Sequence, residues 1–396
     1  MIQKTKQLPT GWKEKKICEF TEVITGGTPS TIKKEYWENG NISWLPSGDL
    51  KDKPIKSAHI FITNEGLKNS SAQIMPKKSV LIALTGATTG QTAILEIEAS
   101  ANQSVTGILP SKEHIPKFLF YYLRTIRNKI LNQTYGGAQP HISQGFVKNV
   151  KIPLPPLPIQ KQIVAILEKA EELKQRREKA AKLTKECLQS VFYEMFLKKK
   201  FEEVELGEVS EVTSSKRIYQ SEYISKGIPF YRSKEVIELS KGKEISIELF
   251  ISDKKYIELK QKFGTPKKGD ILITAVGTIG ETYIIPNNKE FYFKDGNLLW
   301  IRYIKNIDPI YLNYFLFDHF KNNKNDLSSG SAYNALTIIK LKKLKIPLPP
   351  LPLQQRFANI VEKVEKLKEK QKQSKEEINL MFDALMQKAF KGELVR

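Results

Sequence analysis

Few residues in this 396-residue chain are spaced for reaction chemistry. Gly264 to Asp270 opens like a phosphate-cradling loop, but it lacks the Lys-Ser/Thr pair that touches phosphate and magnesium. It reads as a turn before a strand. Asp253, Glu258 and Lys260 imitate the acidic pair plus lysine of a nuclease. Their spacing is short and Lys254-Lys255 intervene, so a charged loop is the better reading. His59, His114, His141 and His319 stand apart without ligand spacing, which argues against a metal site. Cys18 and Cys187 are far apart and belong to no motif, which argues against a disulfide framework or a cysteine-based zinc site and fits a reducing cytoplasm.

What the chain does carry is charge. Lys plus Arg total 64 against 43 Asp plus Glu, a formal net charge of +21. A field this positive finds its commonest partner in a polyphosphate, so nucleic acid is the expected ligand. Hydrophobic residues at 40% and charged residues at 27% give an ordinary globular balance. No apolar run approaches the ~18–20 residues that span a bilayer, and the start, Met1 to Lys6, leads into no apolar core, so neither membrane nor secretory signal is expected.

The elements that must position any reading residues are written twice. Lys151-Ile152-Pro153-Leu154-Pro155-Pro156-Leu157-Pro158 recurs as Lys345-Ile346-Pro347-Leu348-Pro349-Pro350-Leu351-Pro352. Pro76-Lys77-Lys78-Ser79-Val80-Leu81-Ile82 answers Pro266-Lys267-Lys268-Gly269-Asp270-Ile271-Leu272-Ile273, and both run into small residues and glycine. Ile115 to Leu123 resembles Asp308 to Leu316, and Ile42-Ser43-Trp44-Leu45 sits where Ile228-Pro229-Phe230-Tyr231 sits. The repeat is too long for a solenoid unit of ~20–50 residues; it is a duplicated domain plus its connector. The frame is kept while the residues between the matches differ, which suggests one scaffold presenting two readings.

Each globular copy shows short strand-like runs, Val80–Leu84, Ile271–Thr274 and Leu298–Ile301, and a helix at Pro116–Lys129 and again at Pro309–Asn322. The copies read as α+β with a twisted, mainly antiparallel sheet. Base edges are best read by Arg, Lys, Asn and Gln, with Ser, Thr and Tyr in support. The candidate loops in the first copy are Gly26 to Ser30, Pro46-Ser47-Gly48, and Tyr135 to His141 with Gly137 and Gln139. In the second they are Ser214 to Arg217, Tyr231-Arg232-Ser233-Lys234, and Ser329 to Asn334 with Tyr333. Gln139 and Asn334 are placed to grip adenine and Arg232 to grip guanine. Lys77, Lys78, Lys267 and Lys268 suit phosphate, or a solvated turn equally well.

Beyond Pro158 no Gly or Pro occurs until Gly207, and good helix formers dominate. Ile163, Ile166, Ala170, Leu173, Arg177, Ala180, Thr184, Cys187 and Val191 step by three and four, the seam of a coiled coil. The second copy repeats it with Phe357, Ile360, Val364, Leu367, Gln371, Ser374, Ile378, Met381 and Leu385. Each helix is about 40 residues, or about 60 Å at 1.5 Å per residue. The simplest burial pairs them with each other, antiparallel, with Arg177 and Gln371 as polar seam residues that fix register. The expected organisation is 1–155 first globular domain, 156–200 first long helix, 201–349 second globular domain and 350–396 second long helix, a pseudo-twofold internal repeat.

The doubled Ile-Pro-Leu-Pro-Pro-Leu-Pro at Ile152 and Ile346, each running into a glutamine-containing helix start (Gln160-Lys161-Gln162 and Gln354-Gln355-Arg356), resembles the specificity subunits of type I restriction–modification systems. The resemblance covers nearly the whole chain. It implies two target recognition domains that each read half of a split double-stranded DNA site. It also implies helices that bind two DNA adenine methyltransferase subunits, and an assembly able to recruit ATP-dependent restriction subunits. S-adenosylmethionine would belong to the partner, so no cofactor is expected on this chain. The Asp/Asn-Pro-Pro-Tyr/Phe motif of an adenine methyltransferase is absent: the Pro-Pro pairs, Pro155-Pro156 and Pro349-Pro350, are flanked by leucine. A non-catalytic reader is therefore expected. The rival readings are a self-contained methyltransferase or nuclease, and a coiled-coil adaptor that binds only protein.

Overall fold

A computed structural model describes residues 8–132, 141–323 and 335–395. The chain divides into two compact units, one made of Met1–Lys179 with Lys372–Arg396 and the other of Ala180–Gln371.

In the first unit a five-stranded sheet runs in the order Val23–Thr25, Val105–Ile108, Val80–Ala83, Thr92–Leu95, Lys53–Ile55. Its pairs are antiparallel except the last, which is parallel. A smaller sheet joins Ile60–Ile62, Ile42–Leu45 and Ser100–Ala101. The second unit repeats the plan with Glu211–Thr213, Leu298–Arg302, Ile271–Thr274 and Thr282–Ile284, beside Phe250–Ile251, Ile228–Tyr231 and Tyr292–Phe293. The central strand of each copy is buried throughout and apolar except for Thr274, because both its faces are covered. Val80 and Ile82 face the core that holds the helices, while Leu81 and Ala83 face a second core. Ile271 and Ile273 divide from Leu272 in the same way.

The proline-rich runs close each domain. Lys151–Leu154 pairs antiparallel with Lys13–Lys16, and Lys345–Pro347 with Glu203–Glu205. Pro153, Pro155 and Pro156 hold the residues before them extended, whereas Pro158 sits in the first helical turn, where its missing amide costs no hydrogen bond. The long helices accordingly start at Leu157 and Leu351 and continue to Phe192 and Phe390. Gln160 is fully buried at the first turn. Its Nε2 donates to the Pro155 and Glu113 carbonyls at 2.9 and 3.0 Å, and its Oε1 accepts from the Ile115 amide at 2.8 Å. Gln354, equally buried, donates to the Pro349 carbonyl at 2.6 Å and accepts from the Asp308 amide at 2.7 Å. Ile115 and Asp308 are the N-cap residues of the helices Pro116–Thr125 and Pro309–Asn322. The glutamine of the motif thus ties the long helix to the short one. The expected helix to Lys129 is interrupted: Pro116–Thr125 ends at Ile126, and a new turn runs Arg127–Leu131.

Within the first unit the start of one long helix meets the end of the other, so the two run antiparallel. Ile163, Val164, Leu167 and Ala170 share a core with Phe382, Met386, Ala389 and Phe390. Within the second unit Leu188, Phe192 and Phe196 share a core with Phe357 and Val361. Both cores also include the short helices Pro116–Thr125 and Pro309–Asn322, so pairing with the other helix and docking on a domain are not alternatives.

The seam differs from the expected one at Leu173 and Cys187 in the first helix and at Leu367 and Met381 in the second. Leu173, Leu367 and Met381 are 48%, 45% and 41% exposed, and Cys187 is exposed. The residues one step later turn inward instead: Leu188 and Phe382 are buried, and the Lys174 ammonium lies 5.2 Å from the Phe382 ring centre. Ile163 and Phe357 are buried, whereas Ile166, Ile360, Val364, Val191 and Leu385 are half-buried. A stripe stepping four then three uses the same first residues as one stepping three then four. The domain cores select the former, because Leu167 and Val361 fill them where Ile166 and Ile360 only flank them. At the polar seam Gln371 is buried and donates to Thr184 Oγ1 at 2.9 Å, while Arg177 is half-buried.

Candidate nucleic-acid interface

The two copies can be superposed strand by strand through their register. Val23 pairs with Ile108, which pairs with Val80; Val212 pairs with Ile301, which pairs with Ile271. In each copy the outer and central strands point the same way, so the loops that leave them emerge at one end of the sheet. In the first unit these are Gly26 to Ser30 and Thr85 to Gly90, joined by the entry to Val105. His141 adds itself through an antiparallel bridge to Thr85, and the Asn102 amide donates to the Leu45 carbonyl at 3.0 Å, bringing Ser47 close. In the second unit the same end gathers Ser214 to Arg217, Val276 to Gly280, Lys294 to Asn297 and Ala335, which bridges to Val276. The Lys294 amide donates to the Tyr231 carbonyl at 2.9 Å, which sets Arg232 and Ser233 beside this cluster.

Glycine is required where the first copy's loop leaves its strand. A Cβ on Gly26 would lie 2.2 Å from the Ala101 carbonyl oxygen, and one on Gly27 would lie 2.4 Å from the Ala72 nitrogen. The Thr28 hydroxyl then donates to Gln103 Oε1. In the second copy a cleft of about 660 Å³ opens at the corresponding place, lined by Arg217, Tyr219, Tyr223, Arg232, Asp295 and Asn297.

Arg232 does not have the free fork that a guanine grip needs. Its Nε and Nη2 donate to Glu235 at 3.2 and 2.6 Å, and Nη2 also donates to Glu248 at 2.7 Å. Burial alone would raise the Glu235 carboxyl, but hydrogen bonds from Arg232 outweigh it and hold the group below its ordinary range. The Glu248 carboxyl is also lowered, by hydrogen bonds from Arg232 and Lys234. Lys234 Nζ lies 3.0 Å from Glu248. Arg232 is a strut of the cleft wall, its Nε and Nη2 engaged by Glu235 and Glu248.

Lys77, Lys78, Lys267 and Lys268 are exposed but stand before the central strands, at the opposite end from the converging loops. Lys78 has φ +74° and its amide donates to the Leu95 carbonyl; Gly269, with φ +89°, donates likewise to Ile285. The repeated motif is therefore first of all a turn. Of the other expected readers, Ser47, His141, Arg217 and Ser233 lie in the clusters, while Gly137, Gln139, Tyr333 and Asn334 lie outside the described residues. Gln103, Asp295 and Asn297 were not anticipated. Asp295-Gly296 between two apolar strands was a turn signal that could have found the latter pair.

The nuclease look-alike dissolves into a helix, not a loop. Ser252 caps Asp253–Phe263 by accepting from the Lys255 amide. Glu258 then bonds Lys262 at 3.0 Å, and Lys260 bonds Glu290 at 2.7 Å. Among the described residues no cluster of three His, Cys, Asp or Glu side chains is disposed to hold a metal, and no helix is long and apolar enough to cross a membrane.

The type I restriction modification DNA specificity domain matches this chain twice, over residues 9–184 and 198–380. A putative type I restriction enzyme specificity subunit of Haemophilus influenzae is 30% identical over 317 residues, 74% of this chain and 79% of that protein. The MjaIX specificity subunit of Methanocaldococcus jannaschii is 27% identical over 288 residues, 66% of each chain. Among solved structures, a chain from a study of complex assembly in a type I restriction–modification system shares the fold at TM-score 0.68 and 23% identity, covering 98% of this chain and all of that one. The S subunit from M. genitalium shares it at TM-score 0.54 and 16% identity, with 98% of both chains covered. Two matched copies of one domain, each built on the same sheet and completed by the same pair of helices, place this chain in the type I restriction–modification DNA specificity family.

Proposed function

We propose that this chain is the DNA-reading subunit of a type I restriction–modification complex, with one half of a bipartite double-stranded site read by each globular domain. Residues 1–155 and 201–349 form the two target recognition domains, and 156–200 and 350–396 the helices. The helices dock two DNA adenine methyltransferase subunits, and the assembly recruits ATP-dependent restriction subunits. The subunit itself is non-catalytic and works in the cytoplasm. The observation that carries this reading is the pair of loop clusters. One frame, repeated in its four antiparallel strands, presents Thr28 with Gln103 in one copy and Arg217 with Asp295 in the other. A duplicated enzyme site would keep its reactive residues; a duplicated reader changes them.

The test is a domain exchange in the full chain with its methyltransferase partner. Replacing residues 1–150 by those of a relative is expected to change one half of the methylated sequence and leave the other intact. Methylation of the same sequence after the exchange would refute the reading. A protein-only adaptor is separated by salt: phosphate contacts make DNA affinity fall steeply as salt rises, and an adaptor shows no such dependence.

A further inference from the structure

We propose that Arg217 is the guanine-reading side chain of the second target recognition domain and that Asp295 is its positioning residue. This rests on the DNA-reading function above and names the base that one domain selects. Arg217 Nε lies 3.1 Å from Asp295 Oδ2. The arginine side chain is 69% exposed, whereas that of Asp295 is 20% exposed. With Nε held by the carboxylate, the guanidinium is tethered while the donors of Nη1 and Nη2 remain available. Among the described residues neither Nη atom is hydrogen-bonded. Those donors are the fork that meets O6 and N7 of guanine in the major groove.

The mount is rigid on both sides. The Lys216 amide donates to the hydroxyl of buried Tyr292 at 2.9 Å, and Ile218 is buried. Lys216 itself turns away, its ammonium 4.6 Å from the Phe263 ring centre. A phosphate is the poorer ligand here, since Asp295 sets a negative charge beside the fork and a neutral base edge meets no such repulsion. Arg217 also stands at a variable point of an invariant frame. It is the fifth residue after Val212, as Thr28 is after Val23, and each reaches the segment that enters the neighbouring strand.

The test uses the full chain with its methyltransferase partner, after the methylated sequence of the unsubstituted complex has been mapped. Arg217→Gln is expected to weaken binding to the native duplex roughly 5- to 150-fold, at a single G·C pair of one half-site. Duplexes altered at that pair would then bind as well as the native one, and the other half-site would keep its preferences. Arg217→Lys, which retains the charge, is expected to lose the same discrimination, and Asp295→Asn to weaken it at the same pair. Uniform weakening on every duplex, with the salt slope reduced by about 1, would make Arg217 a phosphate contact and overturn the proposal. Unchanged discrimination in Arg217→Lys would overturn it too. Failure of the unsubstituted complex to prefer any split site would instead sink the underlying DNA-reading function, and it is seen before any variant is made.

Discussion

Replacing Gln160 by leucine keeps the side-chain volume close and removes only its polar end. Three backbone groups then lose their partner: the buried Pro155 carbonyl and the partly buried Ile115 amide and Glu113 carbonyl. An orphaned buried donor or acceptor costs about 1–3 kcal/mol, and added apolar contact returns part of this, so Gln160→Leu is expected to cost about 3–5 kcal/mol. Against domain stabilities of about 5–15 kcal/mol that is a large fraction. Gln354→Leu orphans two groups, the Asp308 amide and the Pro349 carbonyl, and is expected to cost about 2–4 kcal/mol. Urea unfolding gives the totals. Hydrogen exchange followed by mass spectrometry locates the loss, which should centre on Ile115 in one variant and Asp308 in the other. The reasoning fails if Gln160→Leu unfolds within about 1 kcal/mol of the unsubstituted chain. It also fails if Gln354→Leu proves the costlier of the two.

His114 is buried, its ring edge-to-face with Phe20, and burial pushes its pKa down to about 4. The unfolded chain therefore takes up the proton first. Stability is complete above about pH 6.5 and falls by on the order of 3 kcal/mol as pH drops toward 4, and His114→Phe should flatten that limb in urea melts at pH 7 and 4.5. Phe357→Ala is expected to cost about 3–5 kcal/mol, because the fully buried ring packs on Phe192, Phe196 and Tyr314. Leu367→Ala, one of the exposed stripe residues, should cost under about 0.5 kcal/mol in the same measurement. Changing both Gln371→Leu and Thr184→Val removes a partly buried polar pair as a unit, and thermal melts should show stability unchanged or raised by up to about 1 kcal/mol.

The duplication, the helix starts and the central strands were legible because each is a local signal: proline order, heptad spacing, an apolar run. The mixed direction of the sheets was not, since the pairing of Lys53–Ile55 with Thr92–Leu95 joins segments far apart in the chain. Heptad spacing left two phases open, and only the domain cores decided between Ile166 and Leu167. Gln160 and Gln354 were visible as part of a motif, but their task depends on carbonyls and amides that sequence does not display. The site was the least legible part. Arg232 and Arg217 look alike in sequence. What separates them is that Glu235 and Glu248 surround the first, while Asp295 holds only the Nε of the second.

Each compact unit is finished by a stretch of helix belonging to the opposite repeat. Phe382, Met386 and Phe390 serve the first as Leu188, Phe192 and Phe196 serve the second. Those two triplets are counterparts in the duplication. Cutting the chain after Gln371 would therefore strip apolar side chains from the heart of the first unit, although every residue removed belongs to the second repeat.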